Sequence, residues 1–391
     1  FNKLSGHWMP DYSRLQRHVG LAVAYNAWQY FEATQDRAWL TRHGAEIVVD
    51  VARLFVSLAE HDAAQDRFHI KGVMGPDEYH TGHPGNPGGG LDDNAYTNIM
   101  AAWVFDQAVW IMHSVRGFDM EELRARLGIT GAEIDAWAHL SRRMFVPFHD
   151  GGIISQFDGY GALRELDWNH YRAYRNIERL DLILEAEGDS TNHYRLAKQA
   201  DVLMLLYVLG EDQLLGFLRR MGYDVAPAQI AATVDFYLAR TAHGSTLSRV
   251  THASVLAQHD PERAWTTFRE ALDTDLDDTQ GGTTRAGIHL GAMAGSIDVI
   301  QRSFAGLRIT RDALDFTPRL PAELSRVEFQ VRYRDQLLAV HLGPDRLRVS
   351  AAPGDASPVL VRVGVEKVLL RAGQEHEFRR DAGTPGWTRG A

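Results

Sequence analysis

The sequence predicts a mainly α chain, an α/α toroid of paired helices, that ends in a small antiparallel β domain. Two observations carry this expectation. Up to about residue 306 the apolar residues recur near the helical period, with long loops between the runs. Beyond it they alternate with polar residues, as in half-buried strands. The length of 391 residues suits one large domain and a smaller one. We place these at 1–306 and 307–380, followed by a Gly-rich tail, 381–391, that reads as loose.

The helices are taken in chain order. Residues 18–33 carry Val19, Ala22, Val23, Ala27, Tyr30 and Phe31, and 39–60 carry Ile47, Val48, Val51, Leu54, Phe55 and Leu58. Further helices are expected over 95–115, 130–144, 191–209, 211–221, 227–239, 248–258, 261–272 and 287–304. Thr130 and Asp189 suit N-caps, and Pro227 and Pro261 suit first turns. The alternating runs are 307–316, 327–342, 346–351, 359–363 and 367–370, with Gly343-Pro344-Asp345 as a tight turn. Three stretches lack any period: 68–94, 148–175 and 273–285. Loops this long inside a compact domain usually carry function.

Composition excludes several function classes. The formal charge is −10 and the pI about 6.0, which argues against nucleic acid or an anionic membrane as partner. Cysteine is absent, so disulfides, zinc–thiolate sites and Cys nucleophiles are ruled out. No apolar run approaches the roughly 18 residues of a membrane span. No His-Glu-x-x-His pattern, EF-hand loop or Gly-x-Ser-x-Gly elbow occurs, so we expect no metal site and no serine hydrolase. The chain begins Phe1-Asn2-Lys3, without initiator Met or signal peptide, and reads as part of a longer protein.

Five motifs could carry chemistry. In Gly72-Val73-Met74-Gly75-Pro76-Asp77-Glu78-Tyr79-His80 a rigid Gly-Pro turn precedes two carboxylates, one of which could act as a general acid; a plain helix cap fits equally well. The glycines 88–90 do not match a phosphate loop and read as a flexible lid or insertion. Lys198-Gln199-Ala200-Asp201 opens an apolar helix, where Lys and Gln could bond sugar hydroxyls or simply mark a solvated helix end. His243-Gly244-Ser245-Thr246-Leu247-Ser248 precedes a helix and could hold an anion or serve as a cap. Thr279-Gln280-Gly281-Gly282-Thr283-Thr284 has the look of another backbone nest. Phe157, Tyr160, Trp168, Tyr171 and Tyr174 could stack sugars or pack a long loop.

In order and spacing the chain resembles glycoside hydrolase family 65, the family of maltose, trehalose, kojibiose and nigerose phosphorylases and some related hydrolases. The matching segments are Gly75-Pro76-Asp77-Glu78-Tyr79-His80, Asn94-Ala95-Tyr96-Thr97-Asn98, Lys198-Gln199-Ala200-Asp201, His243 to Ser248, and Gly287-Ile288-His289-Leu290-Gly291-Ala292-Met293-Ala294-Gly295. The resemblance implies an (α/α)6 barrel, incomplete at its N-terminus, followed by a C-terminal β domain. It implies that Glu78 is the general acid. Lys198 and Gln199 would hold the glucosyl unit, with Asp77, Tyr79 and His80 at the substrate, and His243, Ser245 and Thr246 would bind phosphate.

An inverting glycosidase needs a second carboxylate to activate water, whereas phosphate is already an anion and needs an anion site instead. The expectation is therefore phosphorolysis of an α-glucosidic disaccharide to β-glucose 1-phosphate, with a family hydrolase or an inactive sugar-binding fragment as alternatives. Phosphate would be a co-substrate and no cofactor is expected. The partners implied are the disaccharide, phosphate and a second copy in a homodimer, in the cytoplasm, where a sugar phosphate is useful. Three departures stand out: Asp93 where the family usually has Asn, Ala286 where a Glu is expected, and an insertion over 81–91. The family's Trp-Asp sugar-binding element and its N-terminal β-sandwich are expected upstream, so the isolated chain is expected to be inactive or nearly so.

Overall fold

The computed structural model describes residues 1–114, 118–174, 176–280, 282–380 and 386–389. In chain order, α1 (His18–Thr34) is followed by α2 (Arg37–Trp39), which runs through a π turn at Leu40–Gly44 into α3 (Ala45–Leu58). The hairpin β1 (Ala59–Asp62) and β2 (Arg67–Ile70) leads by a long loop to α4 (Ala95–Ser114). Next come α5 (Phe118–Leu127), α6 (Gly131–Leu140), β3 (Phe148–His149), β4 (Ile153–Ile154), α7 (Trp168–Tyr171) and α8 (Leu180–Ala186). The helices α9 (Asp201–Leu209), α10 (Glu211–Arg220), α11 (Pro227–Leu238), α12 (Thr246–Leu256), α13 (Pro261–Leu272) and α14 (Leu290–Asp298) complete the helical part.

By compactness the chain divides into two units. One is Phe1–Ala27, Ala38–Ser248 and Gln280–Thr283; the other is Trp28–Arg37, Arg249–Thr279 and Thr284–Ala391. In the first, α4 is the central rod. Tyr96, Ile99, Met100, Trp103, Val104, Phe105 and Ile111 are buried on all its sides, so it shows no polar face. It packs against α3, α6 and α9.

The second unit contains the strands β5 (Leu307–Ile309), β6 (Ala313–Phe316), β7 (Val327–Tyr333), β8 (Gln336–Leu342), β9 (Arg346–Ala351), β10 (Val359–Val363), β11 (Glu366–Leu370), β12 (Glu375–Arg379) and β13 (Thr388–Arg389). They form a sheet in the order β11-β10-β6-β5 and another in the order β13-β12-β9-β8-β7. Pairing is antiparallel except between β6 and β10, which run parallel. Phe316, Tyr333, Leu338, Val340, Val349, Val361 and Phe378, drawn from both sheets, form one apolar core.

Several elements differ from the sequence expectation. The helix expected from 39 to 60 stops at Leu58, and Ala59 starts the hairpin, pairing with Ile70. The helix expected over 191–209 begins only at Asp201. Before it, Thr191–His193 forms a 3-10 turn, after which Tyr194 bridges Arg164 and Ala197 bridges Thr241 in an extended stretch. The run 327–342 turns at Arg334 and Asp335, both at positive φ, into two paired strands. The tail read as loose is pinned at Trp387, which packs into the β core, and at Thr388–Arg389, which pairs with Phe378 and Arg379. Residues 381–385 and 390–391 lie outside the described residues.

The long loop after β2 is closed at its base by Asp93. Its Oδ1 accepts the Ile70 N–H at 3.2 Å and the Asn98 Nδ2–H at 2.8 Å, and its Oδ2 meets His69 Nδ1 at 2.7 Å. His69 stacks on Phe145, with ring centroids 4.7 Å apart. Burial pushes the Asp93 pKa up, and the bonds from His69 and Asn98 oppose the shift without cancelling it. Folded Asp93 therefore keeps a proton above the pH at which the unfolded chain has lost it, so its contribution to stability falls as pH rises through that window.

Two outcomes are expected. Asp93→Asn keeps the Oδ1 acceptor and removes the titration, so urea midpoints measured from about pH 4 to 8 should decline less than in the parent. Gly306, where helices give way to strands, has φ +66°, and a Cβ there would lie 2.2 Å from the carbonyl oxygen of Thr317. Gly306→Ala should cost about 2–3 kcal/mol in thermal unfolding, against about 1 kcal/mol for Gly128→Ala, which has the same backbone sign and open space around it.

Candidate active site

Glu78 sits on a turn whose geometry is unfavourable for its residue type. The Glu78 N–H donates to Gly75 O at 3.3 Å, and Glu78 itself takes φ 62°, a left-handed conformation that costs a non-glycine residue about 1 kcal/mol. The turn is held from beneath. The Asp77 N–H donates to Asp201 Oδ1 at 2.6 Å, and Asp201 Oδ2 accepts the Asn94 Nδ2–H at 2.7 Å. Gly75 permits this approach, since a Cβ there would stand 2.0 Å from Asp201 Oδ2. Asn94 caps α4, its Oδ1 accepting the Thr97 N–H at 3.0 Å.

The Asp77 carboxylate grips the neighbouring segment. Its Oδ1 accepts the N–H groups of Lys198 at 2.6 Å and Gln199 at 3.3 Å, and its Oδ2 lies 3.1 Å from His80 Nδ1. His80 Nε2 lies 3.0 Å from the Tyr194 carbonyl, which can only accept, so this nitrogen carries a proton. Asp77 and His80 are almost wholly buried. Their polar atoms are committed to the protein, so the substrate contact expected of them is replaced by support of the turn. Tyr79 is also buried, donating its hydroxyl to Glu178 O at 2.7 Å, and burial raises its phenol well above its ordinary value.

Glu78 and Lys198, by contrast, face a cavity of about 560 Å³. The Glu78 side chain is 40% exposed; its Oε2 accepts Lys198 Nζ at 2.6 Å and its Oε1 accepts Gln16 Nε2 at 2.5 Å. The other walls include Asp11, Asp181, Glu185 and Asp189. Each of these carboxylates already has partners: the Ser13 N–H for Asp11, Arg179 for Asp181, Asn2 and His7 for Glu185, and His193 and Tyr194 for Asp189. Gln199 donates through Nε2 to Pro76 O at 2.6 Å, while its Oε1 is buried with no hydrogen-bond partner among the described residues.

The turn before α12 comes to the same lysine. The Gly244 N–H donates to Lys198 O at 3.1 Å. A Cβ on Gly244 would lie 2.4 Å from Glu178 O, 2.7 Å from the Tyr79 hydroxyl and 2.9 Å from Lys198 Cγ, so no side chain fits. His243 has φ 57°, with Nδ1 2.9 Å from Ser248 Oγ and its carbonyl accepting Gln280 Nε2 at 3.0 Å. Ser245 Oγ accepts the Leu247 N–H at 3.3 Å, so it serves in part as a cap. His243, Ser245 and Thr246 are half-buried at the N-terminal end of α12, where backbone N–H groups and the helix dipole favour an anion.

Other expectations change. The stretch read as a flexible lid is folded onto its surroundings: the Gly90 N–H donates to Thr81 O at 3.0 Å, and Val73 pairs with Leu91. Phe157 and Tyr160 are core residues that pack on His80, and Tyr171 and Tyr174 both donate to Glu187. The Thr279–Thr284 nest includes residue 281, which lies outside the described residues. Asp201, which one of the two readings of its motif put at a solvated helix end, is fully buried. Burial and the Asp77 charge push its pKa well above the carboxylate range. Gln16 and Asn94 were not foreseen as site residues; an Asp opening a wholly apolar helix was the available signal for the buried network. Among the described residues no group of three or more His, Asp or Glu side chains could hold a metal ion, and no helix is long and apolar enough to cross a membrane.

The glycosyl hydrolase family 65 central catalytic domain matches residues 1–298, and the family's C-terminal domain matches residues 307–370. An uncharacterized glycosyl hydrolase of Mycobacterium tuberculosis is 51% identical over 377 residues, covering 96% of this chain and 28% of that protein. The trehalose 6-phosphate phosphorylase of Lactococcus lactis is 35% identical over 381 residues, covering 96% of this chain and 47% of that protein. This chain therefore spans less than half the length of either. Among solved structures, one provisionally named as a kojibiose phosphorylase from the human microbiome superposes with a TM-score of 0.76 at 22% identity, over 93% of this chain and 50% of that one. That likeness carries the fold class, (α/α)6-barrel helices followed by a C-terminal β domain. With both family domains matched in order, the chain belongs to glycoside hydrolase family 65.

Proposed function

We propose that this chain carries the general acid and the phosphate site of an inverting disaccharide phosphorylase, which cleaves an α-glucosidic disaccharide to β-glucose 1-phosphate and a free sugar. One observation carries the reading: Lys198 joins the two chemistries, with its ammonium on Glu78 and its backbone carbonyl on Gly244. Glu78 is the acid that protonates the glycosidic oxygen as the bond to the anomeric carbon breaks. Lys198 leaves Glu78 for a sugar hydroxyl when the substrate enters, and Gln199 offers its unpartnered Oε1 to another. His243, Ser245 and Thr246 hold phosphate for attack from the opposite face of the sugar.

Phosphate is favoured over water because the carboxylates around the cavity already have partners, leaving no evident base to activate a water molecule. Phosphate is then a co-substrate, and no further cofactor takes part. Kojibiose, maltose, nigerose, trehalose and, from the name of the Lactococcus lactis relative, trehalose 6-phosphate are the candidate substrates. A cytoplasmic location fits an enzyme whose product is a sugar phosphate.

The complete polypeptide carrying this sequence, incubated with phosphate and each disaccharide, should release β-glucose 1-phosphate from at least one of them. Glucose release that ignores phosphate would instead indicate a hydrolase. Glu78→Gln should lower kcat by about 10²–10⁴-fold on the active disaccharide. His243→Ala and Ser245→Ala should each raise the KM for phosphate about tenfold, with a smaller effect on the KM for the sugar.

A further inference from the structure

We propose that Asp201, together with Asn94, is a positioning residue for the general acid and acts on proton donation to the leaving sugar. The proposal rests on the phosphorylase reading of the site. A fully buried carboxyl is costly, and among the described residues no cation pairs with this one. Its two oxygens are spent on the Asp77 N–H at 2.6 Å and the Asn94 amide at 2.7 Å. The first lies one peptide before Glu78, and the second is the cap of the central helix α4.

Asp77 is held at both ends, its N–H by Asp201 and its carboxylate by the N–H groups of Lys198 and Gln199. Asp201 thus registers the acid against the pair that would hold the glucosyl unit, through hydrogen bonds buried beneath the cavity. The left-handed backbone at Glu78 is disfavoured for a non-glycine residue, and the bond from Asp201 to the preceding N–H helps hold the turn in that conformation. A displacement of the carboxyl by about 1 Å suffices to spoil proton transfer.

Leaving groups of different basicity separate this role from mere stability. With a disaccharide, the departing sugar oxygen takes a proton from Glu78 as phosphate oxygen bonds to the anomeric carbon. With α-glucosyl fluoride, the same C–O bond forms while the C–F bond breaks, and fluoride leaves with its electron pair, requiring no proton from the acid. In the complete polypeptide, Asp201→Asn should lower the ratio of disaccharide to fluoride phosphorolysis by about 10²-fold, and Glu78→Gln should lower it in the same sense. Should Asp201→Asn fail to fold, the exchange Asn94→Asp with Asp201→Asn keeps one carboxyl and one amide in the pair and should restore the ratio toward that of the parent. An equal loss on both substrates, or an unaltered ratio, overturns the proposal. A parent inert toward both substrates overturns the phosphorylase reading, and this inference with it.

Discussion

The hydrogen bonds that the Asp77 carboxylate accepts from the Lys198 and Gln199 N–H groups are the constraint from which the cavity follows. They bring together two segments 121 residues apart in the chain and keep the second from joining the helix it precedes. Because those N–H groups point inward to Asp77, the Lys198 side chain is directed to Glu78 and its carbonyl to Gly244. A neutral acceptor would make the same contacts with less strength, since a charged acceptor roughly doubles the worth of each bond.

The supporting layer beneath Glu78 is largely polar and buried, whereas the scaffold around it is apolar. Such layers are demanding, because each member must be satisfied or the cost of burial returns in full. Here Asp77, Asp201, Asn94, His80 and the Lys198 and Gln199 N–H groups satisfy one another, and Gln199 Oε1 and the Gln156 amide stand as unpartnered polar atoms beside them. The arrangement trades packing energy for a defined orientation of the Glu78 carboxyl at the cavity.

Much of this was legible in the sequence, and the parts that were not share a cause. Period and composition are local, so α1, α11 and α13 and the strands β9 to β11 could be read within a residue or two at their ends. Glu78, Lys198 and the turn at His243 were legible as motifs. The inward orientation of Asp77 and His80 was not, because Asp-Glu-Tyr-His side by side carries no sign of which member points to solvent; the partners that decide it lie more than 100 residues away. Distant partners also ended the helix expected before Asp201: Thr241 and Arg164 bridge a segment that by local propensity could have been helical. α5 was missed because its few apolar residues, such as Met120 and Leu123, lie among Asp, Glu and Arg.

The left-handed backbones at Glu78, Asp93 and His243 have a consequence for how this protein can change. At each of these positions Gly or Asn would relax the main chain, so two of the residues proposed for chemistry, Glu78 and His243, are ones that the fold itself disfavours. Laboratory evolution for heat resistance alone would drift toward such replacements and lose the acid and the anion turn while the barrel grew sturdier. Durability and turnover thus compete at the same few peptide units, and a selection scheme for hardier variants must score sugar phosphate formed as well as protein surviving.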